Sequence, residues 1–300
     1  MKLGKISRII FRHSGRTIAG ILPVWIPMGS GVCESRRLSA FSSFGEGTGG
    51  AMSYLTSWYW DKGDFREKNE DSFSLQQVRL NGIWKGEEAA LIIVCDGIGG
   101  LPEGETASGF VVQQMTEWFY QDGIGLMNGL FWTRRAAEGA TDALEWIQEK
   151  MEHCERAEGI RCGTTCTMAL VRGRRFVLLH VGDSRAYLLG RKERALTQKH
   201  RKGSALSRCI GAFTFHYPDV MEGKIGRREM LLLCSDGFCD RLKTGFLADA
   251  FMRVRRDKAA LAGKLKEIGA FLRRQGEQDN QTAVLLLYAG GKRRWQNDKT

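Results

Sequence analysis

No apolar stretch of this 300-residue chain reaches the roughly eighteen residues that a membrane-spanning helix needs. The apolar segment 18–28 is interrupted by Gly20, Pro23 and Pro27 and is followed by no small-residue cleavage site, which makes it a poor signal peptide. No repeat period emerges, so nothing indicates a solenoid. We therefore expect a cytoplasmic protein with no membrane span.

The eight cysteines follow no spacing typical of a disulfide framework. Cys95 and Cys234 lie inside apolar runs, where a free thiol behaves as a small hydrophobic side chain. Cys162 and Cys166 flank a Gly-Thr-Thr sequence, and no histidine lies at the spacing of a zinc finger. Reduced thiols in a cytosolic compartment are the better interpretation.

The formal net charge of +11 is concentrated at the two ends of the chain. Residues 1–51 carry seven Lys or Arg against two Glu, and residues 290–300 carry four against one Asp, which leaves a net charge of +3 for residues 52–289. A basic tail can contact nucleic acid or anionic lipid, but more often it is only solvated. From this distribution we expect no nucleic-acid binding.

Patterned sequence begins abruptly at Met52, after a Ser-, Gly- and Arg-rich segment that ends like a linker. With 43% hydrophobic residues the chain can bury a full core. We predict a basic, disordered N-terminal extension over residues 1–51, one domain over 52–289 and a basic C-terminal tail over 290–300. Residues 1–51 are either a genuine basic arm or precede a functional start at Met52, and the pattern favours the second.

The body of the chain alternates between blocks of strands and blocks of helices. A strong hairpin signal, Asn81-Gly82, joins the first two predicted strands. The predicted strands cover residues 72–80, 88–95, 165–171, 175–181, 184–189, 230–234 and 282–288. The predicted helices cover residues 104–120, 133–156 and, divided near Asp257, 245–275. This order predicts an α+β fold: a layered sandwich of antiparallel sheets and helices.

Four aspartates, each in a short motif marked by Gly or Asn, are the most informative feature of the sequence. They are Asp71, Asp96, Asp236 and Asp279. Taken singly, an Asp-Gly pair is also an ordinary turn. A carboxylate at the rim of a buried strand is costly unless it is neutralised, and several together repel each other unless a cation holds them. Oxygen ligands without a His and Cys cluster favour Mg²⁺ or Mn²⁺ over zinc.

The order of six motifs resembles that of the metal-dependent serine/threonine protein phosphatases of type 2C, with the closest likeness to bacterial members. The matching segments are Arg66 to Ser72, Asp96 to Gly100, Gly163 to Thr165, Val181 to Tyr187, Ser235 to Gly237, and Asp279 to Thr282. The likeness covers about residues 52–289. A single motif such as Gly-Thr-Thr carries little weight, but six in the right order do.

The resemblance implies a four-layer α-β-β-α sandwich with a metal pair, Mn²⁺ or Mg²⁺, at one edge. It implies that Asp96 bridges the two ions and that Asp236 and Asp279 complete one of them. The other ion is served by the carbonyl group of Gly97, with the carboxylates Glu70 and Asp71 acting directly or through water. A hydroxide between the ions then attacks phosphorus in line, so that no phospho-enzyme forms.

Further roles follow from the same resemblance. Arg66 is the expected phosphate clamp, because its planar fork grips two oxygens at once; the alternative is a surface ion pair with Glu67 or Asp64. Asp183 and Asn280 are expected to support the ligands, and Asp183 is alternatively a simple turn residue. Thr164 and Ser184 are expected to be structural, because no histidine lies near enough in sequence to activate them.

Three departures from the family pattern stand out. Ile98 occupies the place where eukaryotic relatives carry a histidine proposed as the general acid, and His180 and His216 are conceivable substitutes that we expect instead to be core or turn residues. Ile160 occupies the place of an acid that binds a third ion in bacterial relatives, and Glu158 lies nearby but displaced. The sequence therefore leaves open whether a third ion binds.

The third departure is the short segment 198–205, where bacterial relatives have a longer helical flap. The shortening predicts a more open cleft. A basic cluster replaces the flap, and it either favours acidic phosphoproteins or is a solvated loop. Its residues are Lys199, His200, Arg201 and Lys202.

The sequence therefore predicts a metal-dependent phosphatase that acts on phosphoserine and phosphothreonine in proteins. Its expected partners are substrates of a bacterial Ser/Thr kinase, and it is expected to be a monomer. The alternatives are a phosphatase dedicated to one partner in a stress-response switch, and an inactive scaffold of the same fold. The presence of all four aspartates argues against the scaffold.

Overall fold

The computed structural model describes residues 54–80, 84, 86–203, 205–213, 215–254 and 256–290. The predicted N-terminal extension with its boundary at Met52, the Asn81-Gly82 turn and the C-terminal tail beyond residue 290 lie outside the described residues.

The strands form two five-stranded sheets, and every strand pair in them is antiparallel. The first sheet, in spatial order, consists of β1 (Tyr54–Asp61), β12 (Gln281–Tyr288), β11 (Met230–Cys234), β6 (Arg185–Leu189) and β7 (Glu193–Ala195). The second consists of β10 (Asp219–Lys224), β5 (Arg175–Val181), β4 (Cys166–Arg172), β3 (Glu88–Asp96) and β2 (Asp71–Arg79). A separate two-stranded hairpin consists of β8 (Arg201–Lys202) and β9 (Ala205–Leu206).

Helices cover the outer faces of both sheets. They are α1 (Gly104–Trp118), α2 (Ile124–Met127), α3 (Trp132–Glu158), α4 (Asp236–Cys239), α5 (Phe246–Met252) and α6 (Lys258–Arg274), and a single π-helical turn, Phe119–Gly123, joins α1 to α2. One hydrophobic cluster joins α1 and α3 to the second sheet, and another joins α5 and α6 to the first. The predicted four-layer sandwich is therefore confirmed.

Strand β3 shows how the sequence dictates these layers. Odd-numbered residues from 89 to 95 belong to the helix-facing cluster, and even-numbered residues from 90 to 94 belong to the cluster between the sheets. A strand buried on both faces reads as a continuous apolar run. Burial of each Leu or Ile on this strand stabilises the fold by about 2 kcal/mol.

The helix boundaries have local causes. Helix α3 buries the predicted apolar stripe on one face, including Ala140, Leu144 and Ile147. The predicted division near Asp257 is also confirmed, because the Asp257 side chain caps α6 by accepting a hydrogen bond of 2.9 Å from the amide of Ala260. Within the described ranges, no helix combines the length and apolar character that a membrane crossing needs.

Some elements escaped prediction. Strand β10 lies at a sheet edge and is mostly exposed, so its sequence shows no apolar alternation. The β2–β3 register pairs Arg79 with Glu88, and the amide of Leu80 donates to the carbonyl group of Glu87. The connection between these strands is therefore longer than the two-residue turn that Asn-Gly indicates.

Antiparallel pairing brings the acidic motifs to one edge of the sandwich. Asp71 begins β2 and lies directly opposite Asp96, which ends β3. Cys234, the last residue of β11, lies opposite Ala283 near the start of β12, so Asp236 and Asp279 flank the same edge of the first sheet. The fold thus converts motifs far apart in sequence into neighbours.

Candidate metal centre

Three carboxylates form the tightest acidic group in the part of the chain that the structure describes. One oxygen of each of Asp96, Asp183 and Asp236 lies within 4.8 Å of the other two. Asp71 and Asp279 lie outside this group, yet both raise the pKa of Asp96 through their charge. The four predicted aspartates therefore share one site, and Asp183 belongs to it more closely than a turn residue would.

Two threonines fix the backbone of Asp96. The Asp96 amide donates to Thr165 Oγ1 at 3.0 Å, and the Asp96 carbonyl group accepts from the Thr165 amide at 2.8 Å and from Thr164 Oγ1 at 2.9 Å. Thr165 Oγ1 also contacts Ser184 Oγ at 2.9 Å. These bonds agree with structural roles for Thr164 and Ser184.

Asp71 is almost fully buried, with 1% of its surface exposed. Its Oδ2 accepts hydrogen bonds from Ser235 Oγ at 2.8 Å and Thr282 Oγ1 at 2.6 Å. Its Oδ1 has no donor, and neither has Oδ1 of Asp236. A buried carboxylate oxygen without a partner is costly. Two of them at one edge therefore fit a centre that receives hard cations, for which oxygen ligands are typical.

The electrostatics of the centre point the same way. Burial, followed by the charges of Asp236 and Asp279, raises the pKa of Asp71 to about 7. Burial and the neighbouring Asp183 raise the pKa of Asp236 to about 6. Burial and four aspartates raise the pKa of Asp96 far above its ordinary value. A group of carboxylates that resists ionisation is one that a divalent cation stabilises strongly.

Arg66 contacts Asp279 and Glu70, two of the predicted metal ligands, and not the Glu67 or Asp64 of the alternative interpretation. Its Nη2 lies 3.0 Å from Asp279 Oδ1 and its Nη1 lies 3.8 Å from Glu70 Oε2. Asn280 holds the same loop, because its Oδ1 accepts from the Glu70 amide at 2.8 Å and its Nδ2 donates to the carbonyl group of Lys62 at 2.8 Å. The start of β12 thus positions the Arg66–Glu70 loop.

Two glycines permit close approach of the backbones that carry the acids. A Cβ atom at Gly97 would lie 2.3 Å from the carbonyl oxygen of Gly104, at the start of α1. A Cβ atom at Gly237 would lie 2.2 Å from the carbonyl oxygen of Asn280. The glycine after each aspartate is therefore required by packing, which an ordinary turn does not demand.

One residue of the basic cluster 199–202, Arg201, contacts two acids of the centre. Arg201 Nε donates to Asp183 Oδ2 at 2.5 Å, and Arg201 Nη2 donates to Asp236 Oδ2 at 2.6 Å. Lys199 forms an ion pair with Asp240. His200 is buried, and only Lys202 matches the solvated loop. Sequence reasoning missed the contacts of Arg201, although the basic cluster was the signal.

Among the described residues, neither conceivable histidine substitute forms a hydrogen bond or ion pair with the acids of the centre. His180 is buried, with Nδ1 2.8 Å from Thr167 Oγ1 and Nε2 2.9 Å from the carbonyl oxygen of Gln198, and His216 is exposed. Ile160 is 41% exposed at the end of α3, where it offers no ligand. The Ile98 side chain packs close to Gly163.

Comparisons with known proteins agree on one family. A family model described as protein phosphatase 2C matches residues 67–275. Among curated proteins, the chain is 30% identical over 250 residues to the serine/threonine protein phosphatase PstP of Mycobacterium tuberculosis, covering 75% of this chain and 43% of that protein. It is 23% identical over 258 residues to the serine/threonine phosphatase stp of Listeria welshimeri, covering 75% of this chain and 92% of that protein. The chain thus spans less than half of the mycobacterial relative.

Solved structures show the same fold. The serine/threonine phosphatase Stp1 from Staphylococcus aureus superposes with a TM-score of 0.68 at 22% identity, covering 82% of this chain and 99% of that one. The catalytic domain of PstP in complex with two manganese ions superposes with a TM-score of 0.59 at 24% identity, covering 78% and 97%. At this level of identity the likeness establishes the architecture.

Proposed function

This chain belongs to the protein phosphatase 2C family, and we propose that it hydrolyses phosphoserine and phosphothreonine in proteins with two divalent ions, Mn²⁺ or Mg²⁺. The observation that carries the proposal is the acidic edge, where two buried carboxylate oxygens of Asp71 and Asp236 have no donor. The names of the relatives and the manganese ions in the PstP domain support it.

The chain offers a donor set for each ion. Asp96, Asp236 and Asp279 would hold one ion, and Asp96 would be shared with the second. The carbonyl group of Gly97 would serve the second ion, with Glu70 and Asp71 acting directly or through water. When bound, the ions would lower the pKa of a water molecule between them, and the resulting hydroxide is the proposed nucleophile toward phosphorus.

Arg66 would receive the phosphate. Its side chain is 39% exposed, and its guanidinium group makes one contact of 3.0 Å and one of 3.8 Å, so it can exchange a carboxylate for two phosphate oxygens. Gly99 lies beside it, since a Cβ atom there would be 2.8 Å from Arg66 Nη1. A residue without a side chain at this position leaves the guanidinium accessible.

Partners and location form a separate part of the proposal. The bacterial relatives named as serine/threonine phosphatases support substrates that a bacterial Ser/Thr kinase has phosphorylated. We also propose a cytoplasmic location and a monomer; the free cysteines at Cys95, Cys166 and Cys234 agree with a reducing compartment.

Hydrolysis of p-nitrophenyl phosphate and of a phosphothreonine peptide tests the function. Activity should require Mn²⁺ or Mg²⁺, disappear with a chelator and fall by at least a hundredfold in Asp236→Asn, because the loss of one charged ligand weakens the ion that positions water. Asp249→Asn, at an exposed position on α5, is the matched control and should match the wild type. Activity that survives chelation would refute the proposal.

A further inference from the structure

Arg201 reaches the acidic edge from the short hairpin of β8 and β9. It binds two carboxylates at once, Asp183 at 2.5 Å and Asp236 at 2.6 Å. These two acids belong, with Asp96, to the group whose oxygens lie within 4.8 Å of one another. A guanidinium group therefore already sits where two of the three closest carboxylates would otherwise share a cation.

The position of Arg201 is fixed by its neighbour His200. The His200 amide donates to the carbonyl group of Gly182 at 2.8 Å, and the Gly182 amide donates to His200 Nδ1 at 3.1 Å. His200 Nε2 further contacts Asp219 Oδ2 at 3.0 Å. Since Gly182 directly precedes Asp183, the same bonds hold Arg201 against the carboxylate that it binds.

The charges of the centre are consistent with this arrangement. Among the described residues, six acids form the edge, and two guanidinium groups, those of Arg66 and Arg201, pair with four of them. The six are Glu70, Asp71, Asp96, Asp183, Asp236 and Asp279. The four negative charges that remain are what two divalent ions neutralise. A further divalent ion would give the centre a surplus of positive charge, unless Arg201 moved away. Lys199 and Asp240 form an ion pair beside Asp236 that adds no net charge to the centre.

We propose that Arg201 is a built-in cation that takes the place of an additional metal ion between Asp183 and Asp236 and so limits the centre to two divalent ions. This inference rests on the proposed two-ion centre. An arginine suits the role because it stays protonated at every relevant pH and its planar fork spans two carboxylates. Unlike a metal ion, it cannot be removed by a chelator.

Counting Mn²⁺ on the full chain tests the inference without measuring turnover. After equilibrium dialysis against excess Mn²⁺, elemental analysis should find two ions per wild-type chain and three per Arg201→Gln chain, because Asp183 and Asp236 then become unpaired. The double variant Asp183→Asn with Arg201→Gln should return to two. Lys202→Gln, at the exposed next position, is the matched control and should bind two.

Thermal unfolding provides a second readout, since loss of one partner of an ion pair can destabilise a protein strongly. Arg201→Gln should have a lower melting temperature than the wild type without metal and should regain the difference in Mn²⁺, because the ion replaces the guanidinium. If the melting temperature of Arg201→Gln stayed equally far below that of the wild type in Mn²⁺, Arg201 would only stabilise the fold, and the inference would be overturned.

The outcomes separate this inference from the proposed function. Three ions on the wild type, or two ions of unchanged affinity on Arg201→Gln, would overturn the role of Arg201 while leaving metal-dependent hydrolysis intact. A wild type that binds no ion and hydrolyses no phosphate ester would overturn the proposed function and the inference together.

Discussion

The buried His180 should make the protein sensitive to acid through a group outside the candidate metal centre. His180 is 1% exposed, and burial, followed by the neighbouring His200, lowers its pKa from 6.5 to about 4. Both ring nitrogens are engaged, one with Thr167 Oγ1 and the other with the carbonyl oxygen of Gln198. Since the carbonyl oxygen can only accept, the ring donates from Nε2 and accepts at Nδ1.

The sign of the effect follows from the lowered pKa. Between pH 6.5 and 4 the unfolded chain binds a proton at His180 and the folded chain does not, so acidification favours unfolding. The stabilising contribution is complete above pH 6.5 and is lost as the pH falls toward 4. A difference of about 2.5 pKa units corresponds to roughly 3 kcal/mol in the free energy of unfolding.

Urea unfolding of the metal-free protein, followed by circular dichroism from pH 7 to 4.5, measures this contribution. His180→Gln also changes the packing, which alters the free energy of unfolding by the same amount at every pH. We therefore compare the slope of the unfolding free energy against pH. Between pH 7 and 4.5, the free energy of unfolding should fall by roughly 2 to 3 kcal/mol less in His180→Gln than in the wild type. His216→Gln, at an exposed position, should keep the wild-type slope. Equal slopes in His180→Gln and the wild type would refute the reasoning.

Three further substitutions probe the centre and the fold. Arg66→Lys should lower kcat/KM for a phosphothreonine peptide by about tenfold or more while leaving the melting temperature within a few degrees, because a single ammonium group cannot grip two oxygens; equal kinetics would argue against the clamp. Gly97→Ala should lower the melting temperature strongly and abolish hydrolysis, since its Cβ atom would lie 2.3 Å from the carbonyl oxygen of Gly104; a fully active variant would contradict this contact. Asp257→Ala should reduce the free energy of unfolding by about 1 kcal/mol in urea through loss of the α6 cap, and an unchanged midpoint would show that the cap contributes nothing.

Predictability from sequence followed the strength of the local pattern. The strands Arg175–Val181 and Met230–Cys234 were predicted to the residue, because their apolar runs end at clear turn signals. The exposed edge strand Asp219–Lys224 was missed, since its register against Arg175–Val181 carries no local signal. Its pairing is decided by the neighbouring strand and not by its own residues.

The acidic motifs were predictable as a set because each is a short local sequence. The contacts that orient them were not, since they join residues far apart in the chain. Ser235 and Thr282 donate to the same oxygen of Asp71, although one lies 164 and the other 211 positions away. Arg201 likewise appeared in the sequence only as one member of a basic cluster, and its partners depend on how the hairpin folds back.

The two arginines at the acidic edge differ in how firmly they are held, and this difference separates their roles. Arg201 makes two hydrogen bonds of 2.5 and 2.6 Å to two carboxylates. Its neighbour His200 is hydrogen-bonded to Gly182 through both its backbone amide and its ring Nδ1. Arg66 has one contact of 3.0 Å and a longer one of 3.8 Å. Exchange of a partner for an incoming phosphate is easier for a guanidinium group whose existing contacts are longer, as those of Arg66 are. A guanidinium group that already bridges two acids loses more by such an exchange, so Arg201 is suited to hold the centre together and Arg66 to bind the substrate.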